Sequence, residues 1–189
     1  TTVPNRDTQI NTDDMCCDKI HIVYGDFDRT DTEQPYKRYK ITYFAMRSPN
    51  NAEKHYGIYK SKESWIQEIG QDALGWTADT TTCPECYSAE LIRDHVTDME
   101  FNAFDKQGKI INPPPNPDVP ATRGDLYNIK IVDVRLTFRS KREFFRSDAP
   151  DQEPRIVKGL GERTREFFDK YLRDSVVVTV HTRNIGAGS

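Results

Sequence analysis

The chain has 189 residues, of which 30% are charged and 35% hydrophobic, and its formal net charge is −3 at pH 7. This length predicts one domain, and the net charge gives no electrostatic reason to expect a nucleic-acid partner. No apolar run approaches the roughly 20 residues that span a bilayer. We expect an irregular lead-in over residues 1–14, a single β-rich domain over residues 15–184 and a flexible tail over residues 185–189.

The first part of the chain has the alternating apolar pattern of antiparallel strands. Strands are predicted over residues 20–24, 36–47 and 55–60. Residues 61–76 are ambiguous, because Ser61 and Glu63 are typical of the first turn of a short helix that would end at Gly70.

The second part of the chain predicts further strands, separated by turns. These strands are predicted over residues 96–104, 128–139 and 175–183. Residues 90–95 are interpreted as a turn, and residues 112–120 hold five of the chain's 11 prolines, which predicts a loop. Apolar residues at helical spacing predict an irregular helical turn within residues 162–173. Many strands, short helices and no βαβ alternation predict an α+β fold built mainly on an antiparallel sheet.

The four cysteines are the first candidate site, and they occur as Cys16-Cys17 and as Cys83-Pro-Glu-Cys86. A Cys-Pro-x-Cys turn is a common half of a structural zinc site. Adjacent cysteines on an extended chain point to opposite faces, so Cys16 and Cys17 would chelate one ion only in an unusual conformation. Disulfide bonds are the favoured interpretation, with all three connectivities open. A zinc site made of all four cysteines is the alternative.

No group of residues in the sequence has the spacing of a catalytic site. The four histidines are scattered, and Asp26 and Asp28 lack the glycine and glutamate of a calcium loop. Nothing in the sequence assembles a nucleophile, an acid and a base. We therefore expect a protein that is not an enzyme, with no catalytic residue and no cofactor.

The aromatic residues give one further candidate surface. Nine Tyr, nine Phe and two Trp suit a core filled by bulky rings, which is the favoured interpretation. Trp65 and Trp76 flank the least regular segment of the chain, where exposed rings would bind a sugar or a partner protein.

Five segments in order carry a resemblance to a known family. They are DKIHIVY at residues 18–24, YKITYFAMR at 39–47, LIRDHVTDMEFNAF at 91–104, IKIVDVRLTFR at 129–139 and LRDSVVVTVHTRN at 172–184. Together they resemble the globular heads of minor type IV pilins and type II secretion pseudopilins of the PilW/GspJ-like group. The chain departs from this family because the hydrophobic N-terminal helix that defines it is missing.

The resemblance implies a fold, a location and a set of partners. It implies a pilin-like head whose N-terminal transmembrane and assembly helix has been removed, with the polar start at Thr1 as the cut point. The protein would reside in the bacterial inner membrane and periplasm, then in a filament or at the cell surface. Its partners would be other minor pilins or pseudopilins and the major subunit, and it would prime filament assembly. An adhesive, glycan-binding module that uses Trp65 and Trp76, or a zinc-stabilised interaction domain, is the alternative.

Overall fold

The fold is dominated by antiparallel sheet. The structure is a computed structural model that describes residues 16–27, 29–32, 35–47, 55–66, 75–116, 119–144, 154–160 and 163–182. Strands make up 58% of these residues and helical turns 7%. The helical residues are α1 (Pro120–Arg123) and a 3₁₀ helix at Gly124–Asn128. The predicted α+β class is therefore wrong, because one short helix forms no layer of its own.

Two predictions about the chain ends cannot be placed on this fold. The lead-in over residues 1–14 and the tail over residues 185–189 lie outside the described residues. No helix in the described part of the chain is long and apolar enough to cross a membrane.

The described strands form a main sheet and a separate hairpin. The strands are β1 (Ile20–Phe27), β2 (Tyr36–Arg47), β3 (Tyr56–Ile66), β4 (Gly75–Thr77), β5 (Tyr87–Phe104), β6 (Ile131–Arg139), β7 (Arg155–Lys158), β8 (Thr164–Phe167) and β9 (Arg173–His181). The main sheet has the order β1-β2-β3-β5-β6-β9, with β4 paired to β3, while β7 pairs with β8. β1 and β9 are therefore the two outer strands of the main sheet.

Two local predictions were wrong, and one ambiguous segment proved extended, because strand pairing overrode the local pattern. Residues 61–66 of the ambiguous segment extend β3, where Trp65 pairs with Trp76 of β4. Residues 90–95, predicted as a turn, belong to β5. Within residues 162–173, where the apolar spacing predicted a helical turn, residues 164–167 form β8, which pairs with β7. In each case hydrogen bonds to a neighbouring strand of the sheet or hairpin satisfy backbone groups that a local helix or turn would have used.

The core lies on one face of β5. Val96, Met99 and Ile129 are at most 2% exposed, and Phe101 packs in the same apolar cluster. Side chains alternate between the two faces of a strand. A register shift between Val96 and Asp98 interrupts this alternation, so Asp98 and Glu100 lie on the face opposite Met99 and Phe101, where they are also buried.

Candidate functional site

The cysteines form two local disulfide bonds, Cys16–Cys17 and Cys83–Cys86. Cys17 has a φ of 92°, so the backbone there is left-handed. A positive φ is uncommon for a residue other than glycine, so the chain is not regularly extended at this pair. Cys83 and Cys86 pack with Tyr39, whereas Cys17 packs against the main core. The four-cysteine zinc site stays a prediction that would require both bonds to be reduced.

The Cys83–Cys86 turn is fixed to the main sheet by polar contacts. The hydroxyl of Tyr39 donates to Glu85 Oε1 at 2.7 Å. The ammonium of Lys62 lies 4.3 Å from the centre of the Tyr39 ring and 3.6 Å from Glu85 Oε1. Burial raises the pKa of Tyr39, and the hydrogen bond to Glu85 raises it further. Tyr39 therefore stays protonated and holds the turn in place.

A buried ionic cluster lies on the polar face of β5, and it consists of Asp18, Asp98, Glu100, Arg163 and Arg165. Arg163 lies 3.2 Å from Glu100, 3.5 Å from Asp18 and 3.6 Å from Asp98. Arg165 Nε lies 3.3 Å from Asp98 Oδ2. Burial raises the pKa of Asp98 to about 6, although both arginines act to lower it. Desolvation of this carboxylate therefore outweighs its ion pairs.

The ionic cluster attaches the β7–β8 hairpin to the main sheet. Arg163 and Arg165 lie on the second half of the hairpin, and the backbone N–H of Leu160 donates to Glu100 Oε2 at 2.7 Å. A Cβ atom at Gly159 would overlap the Glu100 carboxylate, so glycine permits this close approach. Three carboxylates thus share two arginines, and these ion pairs join the hairpin to β5 as structural contacts.

A second polar cluster joins β5 and β6 to the residue before β3. The Arg139 guanidinium donates to His55 Nδ1 at 2.8 Å, and His55 Nε2 lies 3.0 Å from Asp94 Oδ1. Arginine has no acceptor, so His55 Nδ1 must accept this hydrogen bond. His95 stacks on His55 with ring centres 4.4 Å apart. The cluster thus joins strands, and it also brings ligand atoms of His55, Asp94 and His95 within 4.8 Å of one another.

Trp65 and Trp76 lie side by side, which the sequence did not predict. Their rings meet edge to face with centres 5.2 Å apart. Arg38 lies 6.0 Å from the Trp65 ring centre and Lys40 lies 5.1 Å from that of Trp76. Both tryptophans are half-buried. The rings therefore pack on each other and on cations, and a sugar-binding role for them stays a prediction.

Two clefts among the described residues are polar and lined by mixed charges. The larger, about 770 Å³, lies beside the turn after β5, where Lys106, Lys109 and Lys130 face Asp105 and Asp125. The smaller, about 350 Å³, lies between Lys19, Lys40 and Glu63. In the smaller cleft, His21 Nδ1 lies 2.7 Å from the Thr42 hydroxyl, which pairs the strands β1 and β2.

The outer strand β9 exposes apolar side chains on both of its faces. Val176, Val177, Val178 and Val180 are 49%, 53%, 50% and 46% exposed. Val176, Val178 and Val180 share one face, and Val177 lies on the other. Pairing with β6 runs without a register shift along all of β9. In the described part of the chain, no strand pairs with the other side of β9; we call this side the β9 edge.

Comparison of the chain with family models, curated proteins and solved structures gave no match. The resemblance to minor pilins and pseudopilins accordingly stays a prediction. Function is therefore inferred from the arrangement of the residues described above.

Proposed function

We propose that this domain is a non-enzymatic assembly subunit that joins neighbouring proteins through the β9 edge. Its role would be that of a minor pilin or pseudopilin, which assembles with sibling subunits at the tip of a type IV pilus or a type II secretion pseudopilus and primes filament growth. The observation that carries this proposal is the open, valine-rich β9 edge.

An open strand edge presents unpaired backbone N–H and C=O groups that can pair with a strand of another chain. Proteins usually protect such edges with lysine, proline or a bulge. Residues 173–181 contain neither lysine nor proline, and their pairing with β6 has no bulge. A strand from a neighbour would satisfy these groups and cover valines on both faces at once. The outer strand β1 also contains neither lysine nor proline and pairs without a bulge, but its Tyr24 and Phe27 rings pack on Tyr39 and Tyr36 of β2. The run of exposed valines is what gives the β9 edge the chemistry of a docking site.

The polar clusters support a role without catalysis. The buried carboxylates of the ionic cluster are paired with Arg163 and Arg165. His55 is committed to Arg139 and Asp94. Each group is thus occupied by a partner that stabilises the fold, rather than aimed into a cleft.

The proposed location is the inner membrane and periplasm, followed by the filament or the cell surface. Two disulfide bonds favour an oxidising compartment. The partners would be other minor subunits and the major subunit, met at the membrane through an N-terminal helix.

Deletion of the gene in its own host tests the role. The deletion strain should lose surface filaments or type II secretion. Val177→Lys would place a charge in the β9 edge, whereas Val23→Lys places it at a matched, 44% exposed valine of β1. The Val23→Lys gene should restore function and the Val177→Lys gene should not. Normal filaments and secretion in the deletion strain would overturn the proposal.

The complete reading frame offers a second test. It should encode a short basic leader ending in glycine, followed by Phe-Thr-Leu-x-Glu and about 20 apolar residues. A reading frame for a cytoplasmic protein that starts near Thr1 would contradict the pilin or pseudopilin assignment. The β9 edge would then serve another kind of assembly.

A further inference from the structure

The Cys16–Cys17 pair is held against β5 by bonds that do not involve sulfur. The backbone N–H of Asp18 donates to the Met99 carbonyl at 2.7 Å. The carboxylate of Asp18 accepts from the backbone N–H of Phe101 at 3.0 Å. These two hydrogen bonds remain available whether the cysteines are oxidised or reduced, so the segment keeps its position in both states.

Three ligand atoms converge at this position. The sulfurs of Cys16 and Cys17 and a carboxylate oxygen of Asp98 lie within 4.8 Å of one another. Two ligands of a tetrahedral zinc ion lie roughly 3.5 Å apart, given bond lengths of about 2.0–2.3 Å. Small side-chain movements would therefore bring all three atoms to one ion.

We propose that Cys16, Cys17 and Asp98 form a binding site for a thiophilic divalent cation, such as Zn²⁺ or Cd²⁺, when the Cys16–Cys17 bond is reduced. Both cysteines are partly exposed, which leaves a fourth position for water. This three-residue site does not use the Cys83–Cys86 pair.

The surrounding charges select the kind of ion. Arg163 and Arg165 lie 3.6 and 3.3 Å from Asp98, so a hard cation that depends on carboxylate oxygens would face two guanidinium groups. Thiolates bind soft and borderline ions through more covalent bonds and do not depend on carboxylates alone. The arginines therefore disfavour Ca²⁺ and Mg²⁺, while the paired sulfurs favour zinc and cadmium.

The reaction is balanced in two steps. A phosphine reductant takes up the oxygen of one water molecule, becomes the phosphine oxide and converts the disulfide into two thiols with the two water protons. The metal ion then replaces the two thiol protons, so each bound ion releases two protons to solvent.

Cadmium titration of the reduced full chain tests the site. The ultraviolet thiolate-to-cadmium charge-transfer band reports binding, and proton release is measured alongside. Cys16→Ser and Cys17→Ser should each abolish the tight phase. Replacing both Cys83 and Cys86 by serine should leave the tight phase intact. This result would show that the reduced Cys83–Cys86 pair does not produce it. Asp98→Asn should weaken binding about tenfold or more, since even residues that only support the ligands of a metal commonly contribute roughly 10–100-fold to its affinity.

A matched variant separates a ligand role from a structural one. Arg165→Gln disturbs the same ionic cluster without removing a ligand, so its cadmium affinity should be unchanged or higher. Equal weakening by Asp98→Asn and Arg165→Gln would show that Asp98 acts only through the fold. A tight phase that disappears with Cys83 and Cys86 instead would overturn the proposal, as would unchanged binding in the Cys16→Ser and Cys17→Ser proteins.

Discussion

The central strand β5 and the outer strand β9 distribute polarity in opposite ways. β5 buries Asp98 and Glu100, which are 5% and 3% exposed, on the face opposite the apolar core. β9 leaves its valines about half exposed, with Val177 at 53%. Exposed valines scattered one by one are ordinary, but buried charges and contiguous exposed valines are informative.

The two strands differ in where their interaction partners lie. The charges of β5 are compensated within the chain, by Arg163 and Arg165 of the β7–β8 hairpin. The valines of β9 find no such cover in the described residues. The charges of β5 therefore find their partners when the chain folds, whereas the β9 edge would be covered only when the protein assembles with a neighbour.

Removing an arginine from the ionic cluster should cause the largest loss of stability. Arg163→Met leaves Asp18, Asp98 and Glu100 facing Arg165 alone. Breaking a buried pair on one side costs about 3–5 kcal/mol of unfolding free energy. Urea denaturation measures the change. The exposed Lys158 of β7 provides the control, since Lys158→Met should change stability by about 0.5 kcal/mol or less; equal losses for both variants would show that the cluster is not structural.

The pH dependence of stability should reveal the buried carboxyl of Asp98. Its pKa is raised from 3.8 to about 6, first by desolvation. The folded state therefore binds a proton that the unfolded state has lost, and stability falls as pH rises from about 4 to about 7. The unfolding free energy of the wild type relative to Asp98→Asn should fall by at most about 3 kcal/mol across this range.

The Asp98→Asn comparison is needed because His21 acts in the opposite direction. Burial, followed by the charges of Lys19 and Lys40, lowers the pKa of His21 to about 4. Its contribution is present above about pH 6.5 and is lost as pH falls toward 4. This term is the same in both proteins and cancels in the difference. A pH-independent difference between wild type and Asp98→Asn would contradict the raised pKa of Asp98.

A matched pair of Val→Thr substitutions should give the smallest effects and the cleanest contrast between a paired strand and the outer strand. Val132 on β6 is 5% exposed, and a hydroxyl placed there without a partner should cost about 1–3 kcal/mol. Val177→Thr on β9 should change the unfolding free energy of the isolated domain by about 0.5 kcal/mol or less. Equal losses would mean that the β9 valines serve folding rather than docking.

Strands with strong alternation could be predicted from the sequence. β2 lies over residues 36–47 as predicted, and β6 and β9 begin within three residues of their predicted starts. Their β-branched and aromatic residues favour the strand geometry that their pairing also needs. The helical spacing of Phe167, Phe168 and Tyr171 predicted a helical turn, but residues 164–167 pair with β7 instead.

The candidate sites were harder to predict because they join residues that are distant in sequence. No pattern in the sequence singles out Asp98 and Glu100, and only folding brings Arg163 and Arg165 to them. The backbone at Cys17 has a positive φ, whereas the argument from the sequence assumed an extended chain. The β-branched residues of β9 could be read from the sequence, but their exposure depends on β9 being the last strand of the sheet.

Site-specific photo-crosslinking tests the central claim most directly. A photoreactive amino acid is placed at Val177 of β9 or at Val23 of β1 in the full-length protein, expressed in its own host. Crosslinked products are identified by mass spectrometry. Position 177 should crosslink to a sibling subunit of the same assembly, and position 23 should give little or none of this product. Equal crosslinking at both positions, or crosslinking at position 23 alone, would contradict assembly through the β9 edge.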